Sequence, residues 1–180
     1  MRPLDKYADI HSHRAELARR GDTVVNVEPG AIMEEGGTYS VGIHPWTTAR
    51  RAASLAQLKQ LVATARDPKV VAIGECGFDR LRGGAVETQQ KLFDFHARLA
   101  ERLGKPLIIH AVKADDLLLA AARRHKPAPG QWIIHGFRGK PQAAKALLKA
   151  GFSLSLGSKF NPETLAEIPP ERLYRETDAL

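Results

Sequence analysis

The sequence predicts an α/β fold, a compact (β/α)₈ TIM barrel, on three observations. Eight short apolar or β-branched runs recur along its 180 residues. Several of the segments between them carry helical periodicity. A set of His and carboxylate side chains falls at the ends of the runs, the face on which barrel enzymes build their active sites.

Taken in order, Tyr7 to Ile10 and Thr23 to Val27 read as the first two strands. Tyr39 to Ile43 is the third, after a connection from Glu28 to Thr38 that is too rich in Gly and Pro for a full helix. Leu55, Leu58, Leu61, Val62 and Ala65 then mark one face of a helix. Val70 to Gly74 is the fourth strand, and Leu92, Phe95, Leu99 and Leu103 form the apolar stripe of a helix that Gly104 ends. Leu107 to Ile109, the segment Lys113 to His125, and Trp132 to Ile134 continue as strand, helix and strand. Pro141 suits the first position of a helix running to Ala150, with Gly151 at its end, before a seventh strand from Phe152 to Leu156. Pro162 suits the first position of a further helix with Asn161 as its N-cap, and Leu173 to Arg175 is the eighth strand.

The strands are nearly continuous in apolar character, as in a parallel sheet buried on both faces. Strands alternating with helices indicate a parallel α/β fold, and eight repeats indicate a barrel. No linker or low-complexity segment interrupts the rhythm, so residues 1–180 read as a single domain. Such barrels usually run to about 200 residues or more, so this one is pared down. The barrel is expected to lack the final closing helix in the sequence as given.

Composition narrows the setting. With 43% hydrophobic and 26% charged residues the chain lies within ordinary globular usage. No apolar run approaches the roughly 18 residues of a membrane span, and the start lacks the apolar stretch of a signal peptide, so a soluble cytoplasmic protein with no membrane partner is expected. Cys76 is the single cysteine, which excludes a disulfide within the chain and a cysteine zinc cluster, and agrees with a reducing compartment. Any metal must be held by His and carboxylates. A formal charge of +7 favours polyanionic partners.

The strand assignments place His11 and His13 after strand one, His44 after strand three, Glu75 after strand four, His110 after strand five, His135 after strand six and Asp178 after strand eight. A lone His at a strand end is more often a hydrogen-bonded loop residue than a ligand. Five of the seven histidines on one face is harder to assign to that ordinary role. His96 and His125 fall in helices and read as surface or packing residues. In His11-Ser12-His13, alternation sends both imidazoles to one side, where they converge on one ion. Barrel closure puts strand eight beside strand one, so Asp178 adds an oxygen to that ion. His110 and His135, on adjacent strands, would bind a second ion, and Glu75 can bridge the two. Two divalent ions are thus expected, with Zn²⁺, Mn²⁺, Mg²⁺ and Fe²⁺ left open. Cys76 reads as a small buried neighbour of Glu75 and not a nucleophile. Asp79 and Asp9 are candidates to orient ligand histidines. For Asp9 the strand alternation favours capping a turn instead.

Six segments carry a resemblance: Asp9-Ile10-His11-Ser12-His13, Gly42-Ile43-His44-Pro45, Ile73-Gly74-Glu75-Cys76-Gly77-Phe78-Asp79, Pro106-Leu107-Ile108-Ile109-His110, His135-Gly136-Phe137-Arg138-Gly139 and Glu176-Thr177-Asp178. In this order they resemble the motifs of the TatD family of metal-dependent deoxyribonucleases. The resemblance implies an amidohydrolase-like TIM barrel, two divalent metals and hydrolysis of DNA phosphodiesters. It implies metal ligation by His11, His13, Glu75, His110, His135 and Asp178, and for His44 a place that contacts substrate or supports the ligands. Members of the family often have a small hydroxyl residue where Arg138 stands and an Arg near Lys113. Many continue past the final Asp with a closing helix.

The chemistry expected is attack of a metal-activated water on a phosphodiester, with Glu75 and Asp178 as the catalytic carboxylates and Asp178 accepting the proton. Lys113, Arg138 and Lys159, with Arg80, fall in loops on the metal face and are expected to bind substrate phosphates along with His44. The alternatives are an amidohydrolase-type enzyme acting on a small substrate, since a fold does not dictate a substrate, or a catalytically impaired protein that binds metal or nucleic acid.

Overall fold

A computed structural model describes residues 4–178. Its centre is an eight-stranded parallel sheet in the order β1-β2-β3-β4-β5-β6-β7-β8. The strands are Asp9–Ser12, Thr23–Val27, Tyr39–Val41, Val70–Asp79, Leu107–Val112, Trp132–Ile134, Ser153–Leu156 and Leu173–Arg175, β1 to β8 in turn. Among the described residues no ladder joins β8 to β1, but the segment after β8 bridges the gap. Thr177 donates its backbone N–H and its hydroxyl to Asp9, at 3.1 and 2.6 Å, and the Asp178 N–H donates to the His11 carbonyl at 3.1 Å. Asp9 also accepts from the His11 N–H at 3.1 Å, so it caps backbone groups and touches no imidazole.

Five α-helices lie between strands: Leu55–Ala65, Val86–Leu103, Asp115–His125, Pro141–Lys149 and Pro162–Leu165, α1 to α5. Local signals explain their limits. Ser54 and Gln57 form a reciprocal capping box at the start of α1. Gly104 takes the left-handed conformation that ends α2, and Asn161 accepts the Glu163 N–H at the start of α5. No α-helix joins β1 to β2 or β2 to β3, and a single 3₁₀ turn, Ala15–Arg20, serves the first connection. This economy keeps the barrel short.

Five strands depart from the sequence-based ranges: β3 stops at Val41 instead of Ile43, β5 runs on to Val112 instead of Ile109, β7 starts at Ser153 instead of Phe152, and β1 and β4 differ most. The first begins at Asp9, not Tyr7, because pairing with β2 starts at Asp9 opposite Thr23. The fourth runs through Asp79 instead of stopping at Gly74. Gly74 and Gly77 have φ of 131° and 147°, and a Cβ at either would collide with the carbonyl of Ile108 or His110 on β5. Glycine at both positions therefore lets β4 stay beside β5 for its whole length. The ladders of β1 and β4 shift register between Asp9 and Ser12 and between Ile73 and Cys76. Those shifts bracket His11 and Glu75, and local irregularities of this kind re-aim side chains.

The core has two parts. Ile10, Val24, Ala72, Ile108, Ile133 and Tyr174 come from six different strands and pack together with Leu4 and Tyr7. A larger cluster, including Leu61, Phe93, Leu118 and Leu147, packs the helices onto the sheet. Cys76 is a buried thiol within that layer, and burial raises its pKa well above the ordinary value.

His96 is fully buried in α2, where it hydrogen-bonds at both ring nitrogens, with the Ile43 N–H at 2.9 Å and the Leu92 carbonyl at 2.8 Å. It thus clamps α2 to the segment that leads into His44. Burial lowers its pKa from 6.5 to about 4, against the opposing bond to Leu92. The unfolded chain takes up this proton below 6.5 and the native chain does not, so stability present above 6.5 is lost as pH falls toward 4. The expected loss between about pH 7.5 and about pH 5 is roughly 2 kcal/mol. Urea unfolding at the two pH values checks this, and a His96→Gln variant with an equally steep pH dependence contradicts it.

Candidate metal centre

Beyond the carboxyl ends of the strands opens a cavity of about 990 Å³, lined among others by His13, His44, Glu75, His110, His135 and Asp178. Glu75 stands at its floor, buried and nearly central. Its backbone N–H donates to the Asn26 side chain at 2.7 Å, and Asn26 in turn accepts from the Ser40 hydroxyl at 3.2 Å. Two neighbouring strands therefore hold the residue in place.

The carboxylate of Glu75 divides the histidines into two groups. Oε1 lies 2.8 Å from His110 Nδ1, 2.8 Å from His135 Nε2 and 3.1 Å from His44 Nε2. Oε2 lies 3.4 Å from the Nε2 atoms of both His11 and His13. Asp178 Oδ1 is 3.8 and 3.9 Å from the same two nitrogens. Three groups offer ligand atoms all within 4.8 Å of one another: His11, His13 and Glu75; His11, His135 and Asp178; and His44, Glu75 and His110. His11 and His13 thus point to the same side, with both Nε2 atoms on one oxygen of Glu75.

Charge makes the arrangement unusual. Burial alone would raise the Glu75 pKa, but the facing imidazoles of His11, His110, His13 and His135 outweigh it and hold the carboxyl far below the ordinary range. The His11 pKa is lowered too, first by burial and then by His135, which favours the neutral ring, and both its ring nitrogens are buried without a hydrogen-bond partner among the described residues. Such orphaned nitrogens cost free energy unless something fills the place of the missing partner. Burial would also lower His135, but Glu176 and Glu75 raise it to about 10. One carboxylate facing five imidazole nitrogens, with both nitrogens of His11 unbonded, is a donor set that fits divalent cations.

Outer partners orient the rings. Asp79 Oδ2 lies 3.0 Å from His110 Nε2 and accepts the Trp46 indole N–H at 2.6 Å. Its Oδ1 accepts the N–H groups of Leu81 and Arg82. Burial opposes ionisation of Asp79, but these bonds prevail and bring its pKa down to about 2. With Nε2 turned to Asp79, His110 presents Nδ1 to the centre. Glu176 faces His135 Nδ1 through a charge contact at 3.4 Å, which leaves Nε2 toward the centre. His44 differs, because its Nδ1 accepts the Trp46 N–H at 3.2 Å. That leaves Nε2–H to donate to Glu75, so His44 supports the carboxylate with a hydrogen bond.

The basic residues divide. Arg138 lines the cavity. Lys113 and Lys159 are exposed but do not line it. Arg80 is committed elsewhere, in a two-pronged ion pair with Asp116 at 2.6 and 2.7 Å and a bond to the Lys113 carbonyl. Its charge serves the β5–α3 loop, which corrects the expectation for that residue. His125 is half-buried against Asp94, a packing role.

Sequence reasoning assigned no role to Asn26, Trp46, Arg82 or Glu176. Glu176 was legible in principle, since it shares alternation parity with buried Tyr174 and with Asp178. Asn26, the one polar residue between Val25 and Val27, offered a weaker signal. Trp46 and Arg82 carried none.

Parallel barrels with convergent His and carboxylate side chains at their carboxyl face form a recurrent class of metal-assisted hydrolase. The chain belongs to the TatD-related DNase family, whose model matches residues 26–179. It is 32% identical over 149 residues to the uncharacterized metal-dependent hydrolase YjjV of Escherichia coli, covering 78% of this chain and 57% of that protein. It is 34% identical over 173 residues to the 3'-5' ssDNA/RNA exonuclease TatD of Erwinia billingiae, covering 90% and 63%. The chain therefore spans about three-fifths of the length of these relatives. The crystal structure of YjjV, a TatD homologue from Escherichia coli, superposes with a TM-score of 0.76 at 23% identity over 97% of this chain and 80% of that one, which shows the shared fold. No helix among the described residues is long and apolar enough to cross a membrane.

Proposed function

We propose that the chain is a divalent-metal-dependent phosphodiesterase that cuts DNA or RNA strands. The observation that carries the reading is the two-sided Glu75 carboxylate, with His11 and His13 on one oxygen and His110 and His135 on the other. His11, His13 and Asp178 would hold one ion and His110 and His135 a second, with Glu75 shared between them. When bound, such ions acidify water and neutralise charge developing on phosphorus.

The chain's own residues supply the rest. Asp178 accepts the proton of the attacking water at its carboxylate, being partly exposed to the cavity while Glu75 is buried. His44 holds the Glu75 carboxylate in place by donating Nε2–H, and Asp79 and Glu176 fix the rings of His110 and His135. Arg138 binds a substrate phosphate at the cavity wall, and Lys113 and Lys159 serve phosphates farther along the strand. The substrate class follows the relatives described as acting on single-stranded nucleic acid and the net charge of +7.

Reconstitution followed by elemental analysis should find more than one equivalent of Zn²⁺, Mn²⁺ or Fe²⁺ per folded chain, and the loaded protein should shorten an oligonucleotide. Folded protein that takes up no metal tightly overturns the reading. Binding should also weaken steeply with salt, and Arg138→Ala should reduce the slope of log affinity against log salt by about 0.7 to 0.9, one phosphate contact. Salt-insensitive binding would favour a small neutral substrate instead.

A further inference from the structure

We propose that Trp46, together with Arg82, is the platform on which a nucleobase of the substrate stacks beside the metal centre. The inference rests on the nucleic-acid reading above and names the part of the strand that the cavity grips. Trp46 leaves 43% of its surface exposed while lining the cavity, whereas Trp132, the other tryptophan, is 5% exposed in the core. A large aromatic left in water at the mouth of a site carries a cost that binding a flat apolar surface would remove.

The ring is held in place and is not a loose surface residue. Its indole N–H bonds Asp79, its backbone N–H bonds the ring of His44, and Pro45–Ala49 forms a 3₁₀ turn around it. It meets His44 edge-on at 4.5 Å between centroids and His110 at 6.0 Å. One aromatic ring thus separates the platform from the Glu75 cluster. The Arg82 guanidinium stands 4.7 Å from the Trp46 ring, and Asp79 also anchors the Arg82 backbone. No carboxylate among the described residues pairs with that guanidinium, so its charge is available to a phosphate or to a base face. Leu81, 64% exposed, extends the apolar rim beside them.

An immobilised indole, an adjacent guanidinium and a nearby phosphodiester-cutting centre match how single strands are gripped without sequence preference: each base offers a π-face to an aromatic ring while cations follow the backbone. The platform would therefore seat the base next to the scissile bond and accept all bases alike. A base-paired end would have to open before it could stack.

The test uses the whole protein in Ca²⁺, with oligothymidylate and the same strand carrying an abasic residue at its cleaved end. Oligothymidylate should quench the fluorescence of Trp46, with buried Trp132 as a constant background, and the abasic strand should bind more weakly. Trp46→Ala should weaken binding of the base-bearing strand roughly 5- to 140-fold, the range of one base–aromatic stack, and leave the abasic strand unchanged. Trp46→Phe keeps a ring but loses the bond to Asp79, and should retain most of the affinity. If alanine weakens both strands equally and phenylalanine behaves like alanine, the indole only positions Asp79 and the platform falls. Binding and cleavage that do not distinguish the base-bearing strand from the abasic one overturn the platform and leave the hydrolase standing. Quenching without cleavage under any metal does the reverse, and absence of binding overturns both.

Discussion

Glu75→Gln is expected to leave less than the full metal complement and to lower hydrolysis by about 1000-fold or more, the equivalent of several kcal/mol of charge stabilisation. The glutamine keeps the volume and one carbonyl oxygen but turns the other into an amide donor. Because the two oxygens of Glu75 face different histidines, either orientation of the amide withdraws an oxygen from one group. Neither Asn26, which holds the backbone, nor His44, which donates to the side chain, can make good that loss. Elemental analysis and turnover of an oligonucleotide check the result together. A variant that retains two equivalents and cuts at the wild-type rate contradicts the role given to Glu75.

Asp178→Asn tests a different function with little disturbance of the fold. Asp178 has φ of 47°, in the left-handed region that asparagine adopts as readily as aspartate, so the backbone has no reason to move. The segment is held by Thr177 on Asp9 and by the Asp178 N–H on His11, bonds the substitution leaves alone. One ligating oxygen survives and the proton acceptor does not. Hydrolysis should fall by at least about 100-fold while metal content drops only in part. An asparagine variant that remains active means another group takes the proton.

These expectations were open to sequence reasoning to different degrees. All eight strands and the five helical segments were legible, because a parallel sheet buried on both faces needs continuous apolar runs and its crossovers need amphipathic ones. The limits of β1 and β4 were less so. The start of β1 depends on pairing with Thr23, and the length of β4 depends on how closely Gly74 and Gly77 approach β5, neither of which is a local property.

What the sequence determined by itself was the barrel and the kinds of side chain at its carboxyl face. Strand ends in a parallel barrel all point one way, so His11, His13, Glu75, His110, His135 and Asp178 could be gathered by order along the chain alone. Which atoms meet emerges in the folded chain: Glu75 splits the imidazoles between its two oxygens, His44 turns a bonded nitrogen inward, and Asp79 and Glu176 sit behind His110 and His135. The tertiary structure also decided that Arg80 is spent on Asp116 while Arg82 lies on Trp46. The physical reason is range. Burial patterns repeat along a few residues and are written locally, whereas a hydrogen bond or a charge contact acts over about 3 to 4 Å and joins residues whose separation in the chain carries no information about it.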